Sequence, residues 1–178
     1  MAKRSYPLSK VYGLLEPGPV LLLTTAHKGK SNVMTLSWHT MMEFEPPLLG
    51  CIVSNRNFSF AALKATRECV LNIPTLEMAD QVVACGNSTG RTLDKFAAFT
   101  LTPQPASLVA APRIKECFAQ LECRVVDTRG VNRYGLFVLE VRKAWVDPTV
   151  KAPATLHHQG YGAFRVAGES IRLRSKMK

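Results

Sequence analysis

The stretch Lys30 to Thr40, KSNVMTLSWHT, carries more hydrogen-bonding groups than a strand needs to hold its place. Asn32, Thr35, Ser37 and His39 supply donors and acceptors, while Val33, Leu36 and Trp38 supply apolar surface. Such a segment can bury one face and present polar atoms to a flat ligand; the same residues also suit a half-exposed barrel strand whose Ser and Thr face water. A second set lies at Ser54, Asn55, Arg56 and Asn57, a polar turn feeding a helix-like segment from Phe58 to Thr66 with Phe58, Ala62 and Ala65 on one side. Asn57 stands at the N-cap position, and the first-turn N–H groups near Ser59 have no partner within a helix. Turn, arginine and helix start together describe an anion site, because unpaired amides and the helix dipole both favour a phosphate. A capped surface helix with a solvated Arg56 fits the same residues. Asp94, Lys95 and Phe96 open a further short helical piece, from which Lys95 either reaches an anion from a second direction or sits as an ordinary surface lysine.

Other chemistries find no support. The chain has no GxSxG, SxxK or HExxH pattern, its acidic residues do not pair recognisably, and no GxGxxG marks a Rossmann cofactor. The loop Asn87 to Arg91, NSTGR, is similar to a phosphate loop. It has three residues between its glycines, Gly86 and Gly90, rather than four, an arginine in place of the lysine and no preceding strand, so a Walker A assignment fails. His157 and His158 are adjacent and lack a carboxylate cluster, which argues against a shared metal. No catalytic acid, base or metal ligand is assigned.

The elements that must position these residues are mostly strands. An apolar run, Pro19 to Ala26, joins Asn32 to Thr40 through the short, glycine-containing connection His27 to Lys30, which predicts a β-hairpin. Before it, a short helix is expected around Leu8 to Leu15, stopped by Pro17, Gly18 and Pro19. After Glu45-Pro46-Pro47, Leu48 to Ser54 reads as a strand apolar on both faces. Cys69 to Ile73 is a strand stopped by Pro74, and Thr75 to Cys85 an amphipathic helix closed by Gly86. Leu101 to Pro112, with three prolines, is expected to be a connecting loop. Cys117 to Val125 alternates, with Cys117, Ala119, Leu121, Cys123 and Val125 on one face and Phe118, Gln120, Glu122 and Arg124 on the other. After turn signals at Arg129, Gly130, Asn132 and Arg133, a last strand, Leu136 to Val146, should turn Leu139 and Val141 inward, and Lys151 to Gly168 reads as irregular. Many strands with a few short helices argue for an antiparallel barrel, mainly β with α additions, and 178 residues without repeats or composition shifts for one domain over 1–178.

Charge and cysteines bound the setting. A net charge of +10 favours anionic ligands, but 8% aromatic residues and no nucleic-acid-binding signature disfavour a nucleic-acid-binding barrel, which stays open as an alternative. The charge is dispersed except for the tail residues Arg172, Arg174, Lys176 and Lys178. No run approaches a membrane span and no leader-like apolar region follows the basic N-terminus, so a cytoplasmic protein is expected. Five cysteines without CxxC spacing read as reduced core thiols.

The ordered set PVLLLTTAHKGKSNVMTLSWHT, EPPLLGCIVSNRNFSF, CVLNIP, LDKF, LECRVVD and LFVLEV resembles the flavin reductase-like proteins of the FMN-binding split-barrel fold, most closely the flavoredoxin branch, over about Pro19 to Val146. The resemblance implies a homodimer of six-stranded split barrels that binds FMN without a covalent bond. It places Asn32 and Trp38 beside the flavin, with the backbone of Met34, Thr35, Leu36, Ser37, Trp38 and His39 along the isoalloxazine. Ser59 matches a hydroxyl near the phosphate, with Ser54, Asn55, Arg56 and Asn57 in the same turn; Lys95 matches a basic FMN contact and Phe164 an aromatic that covers the ring. Where related sequences often carry histidine, this chain has Tyr134, three residues before Phe137, so no proton-donating role is implied there. The implied activity is hydride transfer from NAD(P)H, a transient co-substrate, to FMN and on to an unidentified electron acceptor, with no protein acid or base required. A flavoredoxin-type carrier without nicotinamide oxidation of its own is the alternative.

Overall fold

The computed structural model describes residues 18–174. The expected helix at Leu8 to Leu15 and the tail residues Lys176 and Lys178 lie outside them. Strands β1 (Leu21–His27) and β2 (Lys30–Leu36) form the predicted hairpin, with His27 opposite Lys30. Its turn residues Lys28 and Gly29 both have positive φ, 50° and 75°, which is the two-residue turn whose twist matches the strands it joins. The chain continues through β3 (His39–Glu43), β4 (Leu48–Ile52), α1 (Phe58–Thr66), β5 (Glu68–Ile73), a 3₁₀ turn (Leu76–Met78), α2 (Ala79–Asn87) and α3 (Lys95–Ala98). It ends with β6 (Pro103–Gln104), β7 (Arg113–Ile114), β8 (Ala119–Asp127), α4 (Val131–Tyr134), β9 (Leu136–Val146), β10 (Leu156–Gly160) and β11 (Ala163–Val166).

Seven strands form one antiparallel sheet in the order β2-β1-β5-β8-β9-β4-β3. Its outermost strands, β2 and β3, are consecutive in the chain and separated by Ser37 and Trp38 alone. In a flat sheet the six strand spacings of this order would put them about 29 Å apart. Three Cα steps from Leu36 to His39 span about 11 Å at most. The sheet must therefore curl into a barrel, and register shifts in β8 at Glu122/Cys123 and Val125/Asp127 add the bends that curling requires. This is the predicted antiparallel split barrel. The expected second strand, Asn32 to Thr40, is broken at Ser37 and Trp38 and becomes two strands on opposite sides of the opening; counted as one bent strand, it leaves the expected six.

The barrel interior is filled by Leu21, Leu23, Leu36, Cys51, Leu71, Phe137 and Leu139, and plugged by Leu63 and Phe60 of α1. Phe60 meets Phe137 edge-on at 5.6 Å. On the outer face of the first hairpin, Val20, Leu22 and Val33 pack under Met78, Val82 and Cys85, with Phe96 of α3 and Leu156 of β10. The first strand is apolar throughout because helices cover one side and the barrel the other. All five cysteines are unpaired and buried, as expected for core thiols, and burial pushes the Cys51 thiol up to about 12.

Three expectations need correction, and one strand face has a setting that its alternation left open. Gly86 lies inside α2, which runs to Asn87, because the helix needs no glycine cap where Ser88 turns extended. Lys151 to Gly168 is not irregular: β10 and β11 pair as a hairpin around Tyr161 and Gly162, both at positive φ, and its strands of five and four residues are too short to show a period. Leu101 to Pro112 is a loop except at β6, which pairs with β7. The polar face of β8 is not solvated: Gln120 is 7% exposed and Glu122 fully buried, because the 103–118 segment lies over them.

Those side chains hold that segment down. Gln120 Nε2 donates to the carbonyls of Ile114 and Cys117, and Asn72 Oδ1 accepts from Ile114 N at 2.8 Å. The Glu122 carboxylate accepts from the Ser107 and Leu108 amides and from Trp145 Nε1 at 2.7 Å. Burial alone would raise the Glu122 pKa; the bonds from Ser107, Trp145 and Leu108 and the charge of Arg113 outweigh it and hold the group below the usual carboxylate range. Glu122→Gln should therefore cost about 2 kcal/mol, a few degrees of Tm, by replacing acceptor lone pairs with a donor facing donors. Because a lowered carboxylate pKa stabilises the fold above the unfolded value near 4.3 and loses that contribution as pH falls through the folded value, the gap between wild type and variant should narrow below about pH 4. A gap constant from pH 7 to pH 3 in thermal melts would contradict this account.

Candidate functional site

The helix start predicted at Asn57 is there: α1 spans Phe58–Thr66, with Asn57 extended at the cap position. Asn57 makes no side-chain cap, and among the described residues nothing accepts from the Phe58 and Ser59 amides. The turn before it is fixed by Asn57 N to Ser54 O at 2.9 Å and Arg56 N to Ser54 Oγ at 3.2 Å. This turn faces the C-terminal end of α2 and the loop that follows across a cavity of about 160 Å³. Asn32, Met34 and Thr35 of β2, Arg56, Asn57 and Phe58 of the turn, Cys85, Gly86, Ser88, Thr89 and Gly90, and Lys95 line it. No carboxylate is among these residues. The volume is below the 300–1,000 Å³ of pockets that enclose whole small molecules, and suits the small charged end of a larger ligand.

Lys95 is not a surface lysine. It is 4% exposed, and its Nζ donates to Cys85 O at 2.7 Å. Burial lowers its pKa, while proximity to Cys85 pulls the other way. The Cys85 thiol is pushed up to about 11 by burial against the opposing pull of Lys95, so it stays neutral near pH 7. A cation kept in a small cavity with one carbonyl partner retains two of its three donors for an incoming anion.

Asn32 and Ser59 act together. Asn32 Nδ2 donates to Ser59 Oγ at 2.8 Å, and both side chains are buried. The Ser59 hydroxyl is thus engaged in holding Asn32. On its other side Asn32 abuts Gly90: a Cβ there would lie 2.0 Å from Asn32 Oδ1 and 2.8 Å from Phe58 Cδ1. Lys30 Nζ donates to Gly90 O at 2.8 Å. The NSTGR loop fails the Walker pattern and still walls the cavity, through Ser88, Thr89 and Gly90.

The remaining predicted residues wrap around the β2–β3 link. Thr35 also borders a cavity of about 470 Å³ between α2 and the β10–β11 hairpin, with Ser37, Tyr161 and Phe164; Thr35 Oγ1 donates to Val82 O at 2.6 Å. Phe164 tilts against His158 at 5.2 Å. Ser37, Trp38 and His39 line a third cavity of about 650 Å³, where His39 Nε2 is 2.7 Å from Pro19 O. Trp38, 56% exposed, divides this from a fourth of about 420 Å³ lined by Ser54, Asn55 and Tyr134. Leu36 is buried in the barrel interior, so only its main chain can face a ligand. The structure therefore gathers Asn32, Met34, Thr35, Arg56, Asn57 and Lys95 around one cavity and distributes Ser37, Trp38, His39, Ser54, Asn55, Tyr134 and Phe164 along its neighbours. Lys30 and Tyr161 escaped the sequence reading, the first as one lysine among many and the second because the hairpin that presents it was read as irregular.

Residues 14–165 match the model of the flavin reductase like domain. The chain belongs to this family. An uncharacterized protein of Pyrococcus abyssi is 33% identical over 130 residues, 73% of this chain and 74% of its own length. An FMN-binding domain of a flavin reductases-like enzyme from Shewanella baltica superposes with a TM-score of 0.83 at 25% identity, covering 96% of this chain and 97% of that one. Flavoredoxin from Methanosarcina acetivorans superposes with a TM-score of 0.84 at 26% identity, covering 99% and 97%. Among the described residues no helix is long and apolar enough to cross a membrane.

Because Gly90 has no room for a side chain, Gly90→Ala should displace Asn32 or Phe58, cost about 1–3 kcal/mol and open the small cavity. A crystal structure or melting curve of the variant unchanged from wild type would refute the role given to this contact.

Proposed function

We infer that this chain is an FMN-binding flavoprotein that oxidises reduced nicotinamide and passes the electrons to an acceptor. The observation that carries this reading is Lys95, a cation buried in a small, carboxylate-free cavity beside the unpaired Phe58 and Ser59 amides. The donor set fits a phosphate monoester, with charge from Lys95 and Arg56 and hydrogen bonds from the α1 start and from Ser88 and Thr89. The family membership and the FMN-binding relative support the same ligand. FMN, when bound, supplies the hydride-accepting ring chemistry.

The protein's own task is placement. The larger cavities beside Thr35, Ser37 and Trp38 offer the ring a walled surface, with Phe164 on one side. No acid or base among these residues is needed for hydride transfer. Trp38, Met41, Met42 and Phe44 stand exposed on and beside β3, and a second copy of the chain covering them makes a homodimer part of this proposal. The flavoredoxin likeness favours a second reading, an electron carrier that does not itself oxidise nicotinamide. Mixing FMN-loaded protein anaerobically with NADH or NADPH separates the two: bleaching of the flavin absorbance within seconds supports the reductase, and no bleaching supports the carrier.

Binding should show three signatures. FMN titrated into apo-protein should quench flavin fluorescence and raise Tm; absence of both sinks the reading. Lys95→Ala should weaken FMN by about one to two decades while riboflavin, which lacks the phosphate, binds both proteins nearly equally. FMN affinity should also depend on pH with a defined sign. It falls below about pH 6 as the phosphate becomes a monoanion, and falls again as rising pH strips the proton from Lys95, at a value burial has lowered. Riboflavin affinity that follows the same profile would remove Lys95 from the phosphate.

A further inference from the structure

β3 is an outermost strand of the sheet, and beyond it no strand follows among the described residues. Trp38 O accepts from Ile52 N, so by the alternation of an antiparallel ladder Thr40 bonds to Gly50, while the main-chain groups of His39 and Met41 point away from β4. Among the described residues no main-chain bond meets them there. An edge of this kind is a template for another strand. Around it stand Met41, Met42 and Phe44, the last 89% exposed, together with the exposed Glu43 and Glu45. Neither acid joins an ion pair among the described residues, in a chain whose net charge is +10.

The other end of the chain supplies a segment without a sheet. After β11 the Ala167 amide donates to Thr155 O at 2.8 Å, and from Gly168 to Arg174 no further main-chain bond forms among the described residues. Ile171 and Leu173 are 78% and 77% exposed, and Arg172 and Arg174 alternate with them. That is the period of a strand with one apolar and one basic face, and Lys176 and Lys178 keep the same period in the sequence. Both apolar sets are exposed in one chain, so the tail leaves its own β3 uncovered. The β3 of a second copy fits this edge poorly. Pairing β3 with β3 across a two-fold axis gathers Glu43 and Glu45 of both copies, with no lysine or arginine on the strand to offset them.

We propose that residues 170–174 of a second copy add to the free edge of β3 as a further strand, with Ile171 and Leu173 against Met42 and Phe44, and Arg172 and Arg174 beside Glu43 and Glu45. This pairing rests on the homodimer reading above and names the segment that covers the exposed residues of β3. Each chain gives one tail and receives one, so the two contacts are equivalent under a two-fold axis. Main-chain bonds to His39 and Met41 supply attachment, and the opposite charges select the tail over another β3. The added strand also borders the cavity that Thr40 and Met41 line beside Trp38.

The experiment measures the dimer dissociation constant of the full chain by sedimentation velocity, at low and moderate salt. Wild type should dimerise, less tightly as salt rises. The pair Arg172→Glu and Arg174→Glu should weaken the dimer about tenfold. Adding Glu43→Lys and Glu45→Lys should restore it to within about threefold of wild type, an outcome that general damage to the fold would not give. A second measurement uses Met42→Cys with Leu173→Cys and a bifunctional maleimide, since the five native cysteines are buried. A product of dimer mass linking positions 42 and 173 is the expected result. The same link in a product of monomer mass places the tail on its own β3 and overturns the proposal. So does a dimer-mass product from Met42→Cys alone, which assigns the edge to β3 of the second copy, or a dimer constant unmoved by the charge reversal. A wild type that stays monomeric overturns the homodimer reading with it, whereas a dimer indifferent to the tail substitutions overturns the strand pairing alone.

Discussion

The two-residue link from β2 to β3 is the constraint on which the rest depends. Because Ser37 and Trp38 must join the two outermost strands of a seven-strand order, the sheet cannot stay open. Closure puts Leu36 inside the barrel and, three residues on, His39 opposite Cys51 on β4. The link itself is stitched across by Ile52 N to Trp38 O at 3.0 Å. It leaves the ladder of β2 just where polar side chains cluster, so Thr35, Ser37 and Trp38 each border two of the four cavities described above. A strand running unbroken to Thr40 would have presented the same residues as one face of a flat sheet, with no seam for a ligand to enter.

Closure also explains why so many polar groups are buried in a chain that has few aromatic residues. A curled sheet covered on the outside by helices and loops has little open surface, so Asn72, Gln120 and Glu122 must find partners among main-chain groups. They find them in the 103–118 segment, whose amides and carbonyls have no ladder of their own beyond the short β6–β7 pair. Each satisfies the other, and a buried carboxylate with several donors holds a loop that apolar packing alone would leave loose. Lys95 is the exception. It keeps one carbonyl partner and part of its hydrogen-bonding capacity, which costs stability wherever the amine is charged and is retained at the cavity rather than in the core.

Much of this was legible in the residues. The hairpin at Lys28 and Gly29, the helix from Phe58 to Thr66, the strand from Leu136 to Val146 and the short piece at Lys95 follow from turn chemistry, capping position and period, and all are present. What was not legible depends on tertiary contact. The alternation of β8 was correct, but its setting depended on how the 103–118 segment folds back over Gln120 and Glu122. The β10–β11 hairpin is too short to show a period, and its positive-φ Tyr161 disguises the turn. Of the cavity residues, Arg56, Asn57 and Lys95 could be named from a turn and a helix start. Ser88, Thr89 and Gly90 could not, because only folding brings the end of α2 to the start of α1.

Asn32 shows what that meeting accomplishes. Its Nδ2 is fixed by Ser59 from inside the barrel, and its Oδ1 is pressed against Gly90, which Lys30 holds from outside. Three distant segments are thus locked through one amide whose two ends have different neighbours. The cavity wall is therefore assembled by side chains that do not depend on a ligand to order them. A site held in this way loses little conformational freedom on binding, and contacts from the Lys95 ammonium and the α1 amides can appear as affinity rather than being offset by ordering the loop.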